Sequence, residues 1–144
     1  MKKFFFRLQP VLNVKVIRED LAKQEFAQLQ FELEQEQSRL QLLQAEWDET
    51  CEWGNDYLVT SLWHQQLYRE ALKDNIKMQE QKVFQQKELV EQGRERLIDA
   101  VKEKKVLENL KEQQAKAHQK MIAQKEGYFL DEIAIAGYSR RFSD

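Results

Sequence analysis

Proline occurs once in the 144 residues, cysteine once and glycine four times. Architectures with many corners need Gly and Pro at their turns, so sandwiches, barrels and doubly wound sheets are excluded. The single cysteine, Cys51, has no partner for an internal disulfide, which fits a reducing compartment. No stretch approaches the roughly 20 apolar residues of a membrane span. The opening Met1-Lys2-Lys3-Phe4-Phe5-Phe6-Arg7 holds a short apolar run that Arg7 ends, against about 7–15 residues for the core of a secretory signal. A cytoplasmic protein is therefore expected. A surplus of one charge is lacking too. Twenty-three basic residues against 25 acidic give a net −2, which leaves no cationic face for nucleic acid.

What is abundant is helical. Charged residues make up 33%, and Glu, Lys, Gln, Leu and Ala dominate the rest of the pattern. These side chains lose little rotamer freedom in a helix. Pro10 stands where a long periodic segment begins, a place that tolerates a missing N–H. Phe26, Leu29, Leu33, Leu40, Leu43 and Trp47 follow the alternating three-and-four spacing of a coiled-coil seam, with Glu36 as its polar member. Val14, Ile17 and Leu21 lie on a different phase, which reads as a stutter. Gly54 and Asn55 readily take left-handed dihedrals and end the segment, and Asp56, Thr60 or Ser61 can cap the next. The second run carries Leu62, Leu72, Ile76, Val83, Val90, Leu97 and Ala100, with Gly93 in the seam as a close approach or a flexible point. The stripe then shifts to Leu107, Leu110, Gln114, Ala117 and Met121.

The expected fold is all-α: a long antiparallel two-helix coiled-coil hairpin with an overhanging C-terminal arm. It forms one domain, with helix 1 at about 11–52, a turn at about 53–60, helix 2 at about 61–126 and a tail at 127–144, Gly127 ending the second helix. Leu40 and Leu43 should pack between Leu67 and Ile76. Charge supports intramolecular pairing. Residues 21–60 carry 2 basic and 9 acidic groups (net −7), and residues 61–126 carry 14 basic and 11 acidic (net +3). Two copies of helix 1 repel, whereas helix 1 beside helix 2 attracts. The longer second arm leaves an apolar stripe uncovered at Leu107, Leu110, Met121 and Ile122, which marks a partner surface.

Catalytic chemistry has little to stand on. A two-stranded coil offers no pocket, His64 and His118 are far apart, no Glu-x-x-His pair exists, and the glycines are scattered rather than gathered in a phosphate loop. No enzyme, metal, cofactor or small-molecule substrate is expected. Cys51 reads as a small residue, buried or half-buried, near the turn. Trp47, Trp53, Tyr57, Trp63 and Tyr68 gather around the turn, either to close the hairpin end or to bind a partner. Phe4, Phe5 and Phe6 beside Lys2, Lys3 and Arg7 suit a protein-binding end, an anionic membrane or packing against the C-terminal arm.

Phe6-Arg7-Leu8-Gln9-Pro10-Val11-Leu12, followed by Arg18-Glu19-Asp20, resembles the opening of the FliJ family, small coiled-coil proteins of the bacterial flagellar type III export apparatus. Gln65-Gln66-Leu67-Tyr68 with Leu72 and Ile76 is similar to the start of that family's second helix. Residues 101–110, from Val101 to Leu110, resemble its lysine-rich middle, and Asp131-Glu132-Ile133-Ala134 its closing motif. The resemblance implies a non-enzymatic stalk in the pore of the hexameric export ATPase, in contact with the membrane export gate protein and with export chaperones. It implies a monomer, cytoplasmic and peripherally associated with the membrane at the flagellar base. Leu8, Val11, Leu12, Ile122, Leu130 and Ile133 are then the candidate ATPase contacts, and Tyr68, Leu72 and Gln79 the candidate gate contacts. The alternatives are a self-assembling coiled-coil scaffold, the stalk of a non-flagellar type III secretion system, and a helix that docks in an unrelated partner's groove.

Overall fold

The computed structural model describes residues 3–53 and 58–142. Two helices make up the described fold: α1 (Gln9–Cys51) and α2 (Val59–Phe142). They pack antiparallel as an all-α helical hairpin, and no strand occurs among the described residues. Pro10 lies in the first turn of α1, as its missing N–H dictates. At the other end of α1, Glu52 and Trp53 donate to the carbonyls three residues back, Glu49 and Thr50, a tightened last turn. Leu62 N donates to Leu58 O, so Thr60 and Ser61 lie inside α2 rather than capping it. The alternative cap, Asp56, falls outside the described residues, as do Gly54, Asn55 and Tyr57.

Gly127 does not end α2. The helix runs to Phe142, 84 residues in all or about 126 Å at 1.5 Å per residue. No described glycine has a positive φ. A helical glycine costs about 1 kcal/mol against alanine, and the proline-free stretch beyond it absorbs that cost. The tail expected at 127–144 is helix as far as Phe142.

The contacts group the chain into two compact units, Arg18–Ala100 and Met1–Ile17 with Val101–Asp144. In the first of these, α1 turns inward Glu19, Ala22, Phe26, Leu29, Leu33, Glu36, Leu40, Leu43, Trp47 and Thr50, an unbroken alternation of three and four. Leu21 is 59% exposed. The expected stutter is absent here, because the seam that starts at Phe26 extends upstream through Glu19 and Ala22 instead. Glu19 is buried, and Lys23 one turn on pairs with its carboxylate at 2.8 Å. On α2 the inward set is Arg69, Leu72, Ile76, Gln79, Val83, Gln86, Val90, Gly93, Leu97 and Ala100. Leu62, expected in this seam, is exposed. Arg69 holds the inward position near the turn, where its guanidinium donates to the Thr50 carbonyl.

Polar layers cross this seam at intervals. The Gln79 amide donates to the Glu36 carbonyl at 2.9 Å and to the Glu36 carboxylate. Gln86 donates to the Leu29 carbonyl at 3.3 Å and to Glu32 at 3.2 Å, and beside the seam the exposed Arg96 and Glu25 pair at 2.6 Å. Each layer is satisfied only in one alignment, so together they favour one register at some cost in apolar burial. Leu43 lies beside Asn75, Met78, Gln79 and Lys82, at the far edge of the expected span and just past it. Gly93 marks a close approach of the helices. A Cβ there would meet Leu29 Cδ1 at 2.7 Å, with the Phe26 Cα 4.0 Å away.

In the other unit, residues 3–17 lie along α2 from Val101 onward. Phe6 and Leu12 are buried, Phe4 stacks its ring 5.8 Å from that of His118, and Lys15 pairs with Glu103 at 2.8 Å. Val14 and Ile17 face outward, 48% and 58% exposed. The α2 side chains turned toward the segment are Lys104, Leu107, Leu110, Lys111, Ala115, His118 and Ile122. Leu107, Leu110 and Ile122 are thus partly covered, not free as expected. Gln114, Ala117 and Met121 point outward, because the aromatic N-terminal segment engages the face of Lys111 and His118.

Candidate partner-binding surfaces

Covered apolar groups hold a hairpin together, and uncovered ones are what a partner can bind. The six residues assigned to ATPase contact divide on this criterion. Leu12 is 6% exposed and closes the N-terminal segment against α2. Ile122 is half-buried, while Leu8 and Val11 sit at the rim of the same packing. Leu130 and Ile133 are 63% and 53% exposed. They are accompanied by Tyr128, Phe129, Ile135, Tyr138 and Phe142, all exposed on the last five turns of α2. Tyr138 and Phe142 stack at 4.6 Å between ring centroids, one helical turn apart. Arg140 and Arg141 stand in the last turn, where cations suit the negative end of the helix dipole. A helix end at Gly127 leaves the aromatics beyond it without a helix face. Their signal is the helical spacing of Tyr128, Ile135, Tyr138 and Phe142.

The three residues assigned to the gate divide more sharply. Leu72 and Gln79 are 4% and 6% exposed and are committed to α1. Tyr68 is exposed. Its hydroxyl donates to Glu46 across the helix pair at 3.4 Å, and its ring lies 5.4 Å from that of Trp53. Desolvation beside α1, then the Glu46 and Glu49 carboxylates, push the Tyr68 hydroxyl above its usual range of ionisation, so it stays a neutral donor.

The aromatic gathering at the turn divides between packed and exposed side chains. Trp47 is half-buried beside Gln66, Arg69, Glu70 and Lys73, and Trp53 stacks on Tyr68, while Trp63 is 60% exposed. Tyr57 lies outside the described residues. At the N-terminus, Phe4 and Phe6 pack on the C-terminal arm and Phe5 is 79% exposed. These three line a shallow cleft of about 210 Å³ with Gln9 and Lys111. Cys51, expected to be covered, is exposed at the end of α1, where the chain leaves the helix. Among the described residues no group of three or more His, Cys, Asp or Glu could hold a metal ion, and no helix is long and apolar enough to cross a membrane.

A closed helix–helix seam, with apolar side chains exposed outside it, defines a helical hairpin that offers surface for protein contact. The family model described as Flagellar FliJ protein matches residues 4–143, and the chain belongs to that family. It is accordingly a component of flagellar export. No curated protein and no solved structure gives a significant match.

Proposed function

We propose that the protein is the central stalk of the hexameric flagellar export ATPase and an adaptor to the membrane export gate protein and the export chaperones, working without catalysis at the cytoplasmic face of the membrane. The observation that carries this reading is the exposed run from Tyr128 to Phe142 on an uninterrupted helix. A single helix bearing apolar groups on every side can enter a narrow pore and touch several subunits at once. A rod in a six-fold ring cannot match all subunits equally, so it biases their conformations and couples nucleotide turnover to export. Because such a ligand prefers the assembled ring, it also stabilises the hexamer. Leu130 and Ile133 are the primary contacts, and Leu8 and Val11, on the N-terminal segment that packs near Lys111, are secondary ones. Leu12 and Ile122 support that end from within. At the gate, Tyr68 is the contact and Leu72 and Gln79 hold its helix in place.

The test is a chain ending at Glu126, assayed for stimulation of the purified export ATPase. Loss of stimulation with unchanged unfolding of the Arg18–Ala100 unit is expected. Full stimulation by the shortened chain removes the α2 end from the mechanism. A self-assembling scaffold is the second reading, since the same exposed run could pair with another copy. Sedimentation separates the two: a stalk is a monomer alone, a scaffold a dimer or higher. The flagellar family match favours the flagellar stalk over one from a non-flagellar secretion system.

A further inference from the structure

The outward face of α1 in the Arg18–Ala100 unit bears a line that the hairpin does not use. Starting at Leu21 and ending at Ala45, steps of three and four visit Leu, Gln, Gln, Phe, Gln, Ser, Leu and Ala. Every one of these side chains is exposed, with Leu21 at 59%, Phe31 at 54% and Leu42 at 66%. None is charged, although charged residues make up 33% of the chain. The corresponding outward line of α2 carries Asp74, Glu88, Glu95 and Asp99, so a charge-free line is not a general property of these helices. Alternating three-and-four spacing is the track that one helix follows when it supercoils on another. Covering a charge without a partner is unfavourable, whereas apolar groups gain from cover and glutamine amides accept it when hydrogen-bonded.

We propose that this line is a second coiled-coil seam, which receives one helix of a partner protein whose own apolar seam is flanked by Lys and Arg. The flanking chemistry follows from charge. Residues 18–52 carry 3 basic and 10 acidic groups, a net −7, and exposed Asp20 and Glu34 border the line. A second copy of α1 would bring the same negative charge to the same face, and an anionic lipid surface is repelled for the same reason. The seam uses no residue assigned to the ATPase or the gate, so it stands independently of those contacts.

The probe is a synthetic helix of about four heptads with Leu along its seam and Lys at the flanking positions, compared with a twin that carries Glu at those positions. Both are titrated against the full chain by fluorescence anisotropy. The Lys-flanked helix should bind at least about ten-fold more tightly than its twin. Leu21→Glu with Phe31→Glu should abolish that preference while the helical signal and unfolding midpoint stay unchanged, since both side chains are exposed. The single change Phe31→Gln should weaken binding in the same direction, and Phe84→Glu on exposed α2 surface should leave it unaltered. Equal binding of the two helices, or survival of binding in the double variant, overturns the proposal. So does a dimer of the chain that Leu21→Glu with Phe31→Glu dissolves, because the occupant is then a second copy.

Discussion

The two units use the same pair of helices differently. From Arg18 to Ala100 each helix covers the other's inward face, and the polar layers at Gln79 and Gln86 favour a single alignment. In the other unit the N-terminal segment covers α2 as far as Ile122, and the aromatic turns beyond it have no cover. Similar Leu, Ile and aromatic side chains thus stabilise the fold in one unit and form a free surface in the other. The difference lies in whether a second helix lies alongside. Burial and exposure of similar side chains differ between the two stretches, and substitutions can be sorted by that difference.

The largest contrast is expected between two leucines. Leu72→Ala empties a buried position and should cost about 2–5 kcal/mol, whereas Leu130→Ala on the exposed end should stay within about 0.5 kcal/mol. Urea unfolding of both variants measures this directly. Equal losses would show that the end of α2 is packed in solution and would erase the division.

A smaller effect is expected within the seam itself. Gln79→Ala removes the donor that serves both the Glu36 carbonyl and carboxylate, and should cost about 1–3 kcal/mol. Replacing both by leucine restores apolar packing and should return most of that stability. If the double replacement stays as unstable as the single one, the polar layer contributes more than register.

The least effect is expected at Tyr68. With its ionisation raised in the folded state, the unfolded chain loses this proton first, as pH rises through the usual tyrosine value of 10.0. The folded state then holds more protons, so stability falls as pH climbs above that value, and below it the contribution is constant. Glu46→Gln removes one of the causes and should bring the tyrosinate absorbance of Tyr68 in at lower pH. An unchanged titration would show that the Glu46 contact does not persist in solution.

Much of this was legible in the sequence, because helix periodicity is local. The seam from Phe26 to Trp47, the break after Cys51 and the pairing of acidic with basic arms follow from spacing, composition and charge, whereas at Gly93 the sequence offers a close approach or a flexible point and the structure selects the first. The family is legible as well, since the paired motifs at the two ends stand in the right order and the family model spans residues 4–143.

Which of two apolar lines faces inward is another matter. Upstream of Phe26 the aliphatic line through Val14, Ile17 and Leu21 competes with the line through Glu19 and Ala22, and spacing cannot rank them. Only the position of α2 does so, turning a carboxylate inward and a leucine outward. The same holds for Leu72 and Gln79, whose types suit a contact surface but whose places lie under α1, and for Gly127, which the helix passes through. The sequence determined that there are two helices, where they part and that they pair with each other. The tertiary structure decided which side chains are used up in that pairing, because burial depends on the neighbouring helix and not on the residue alone.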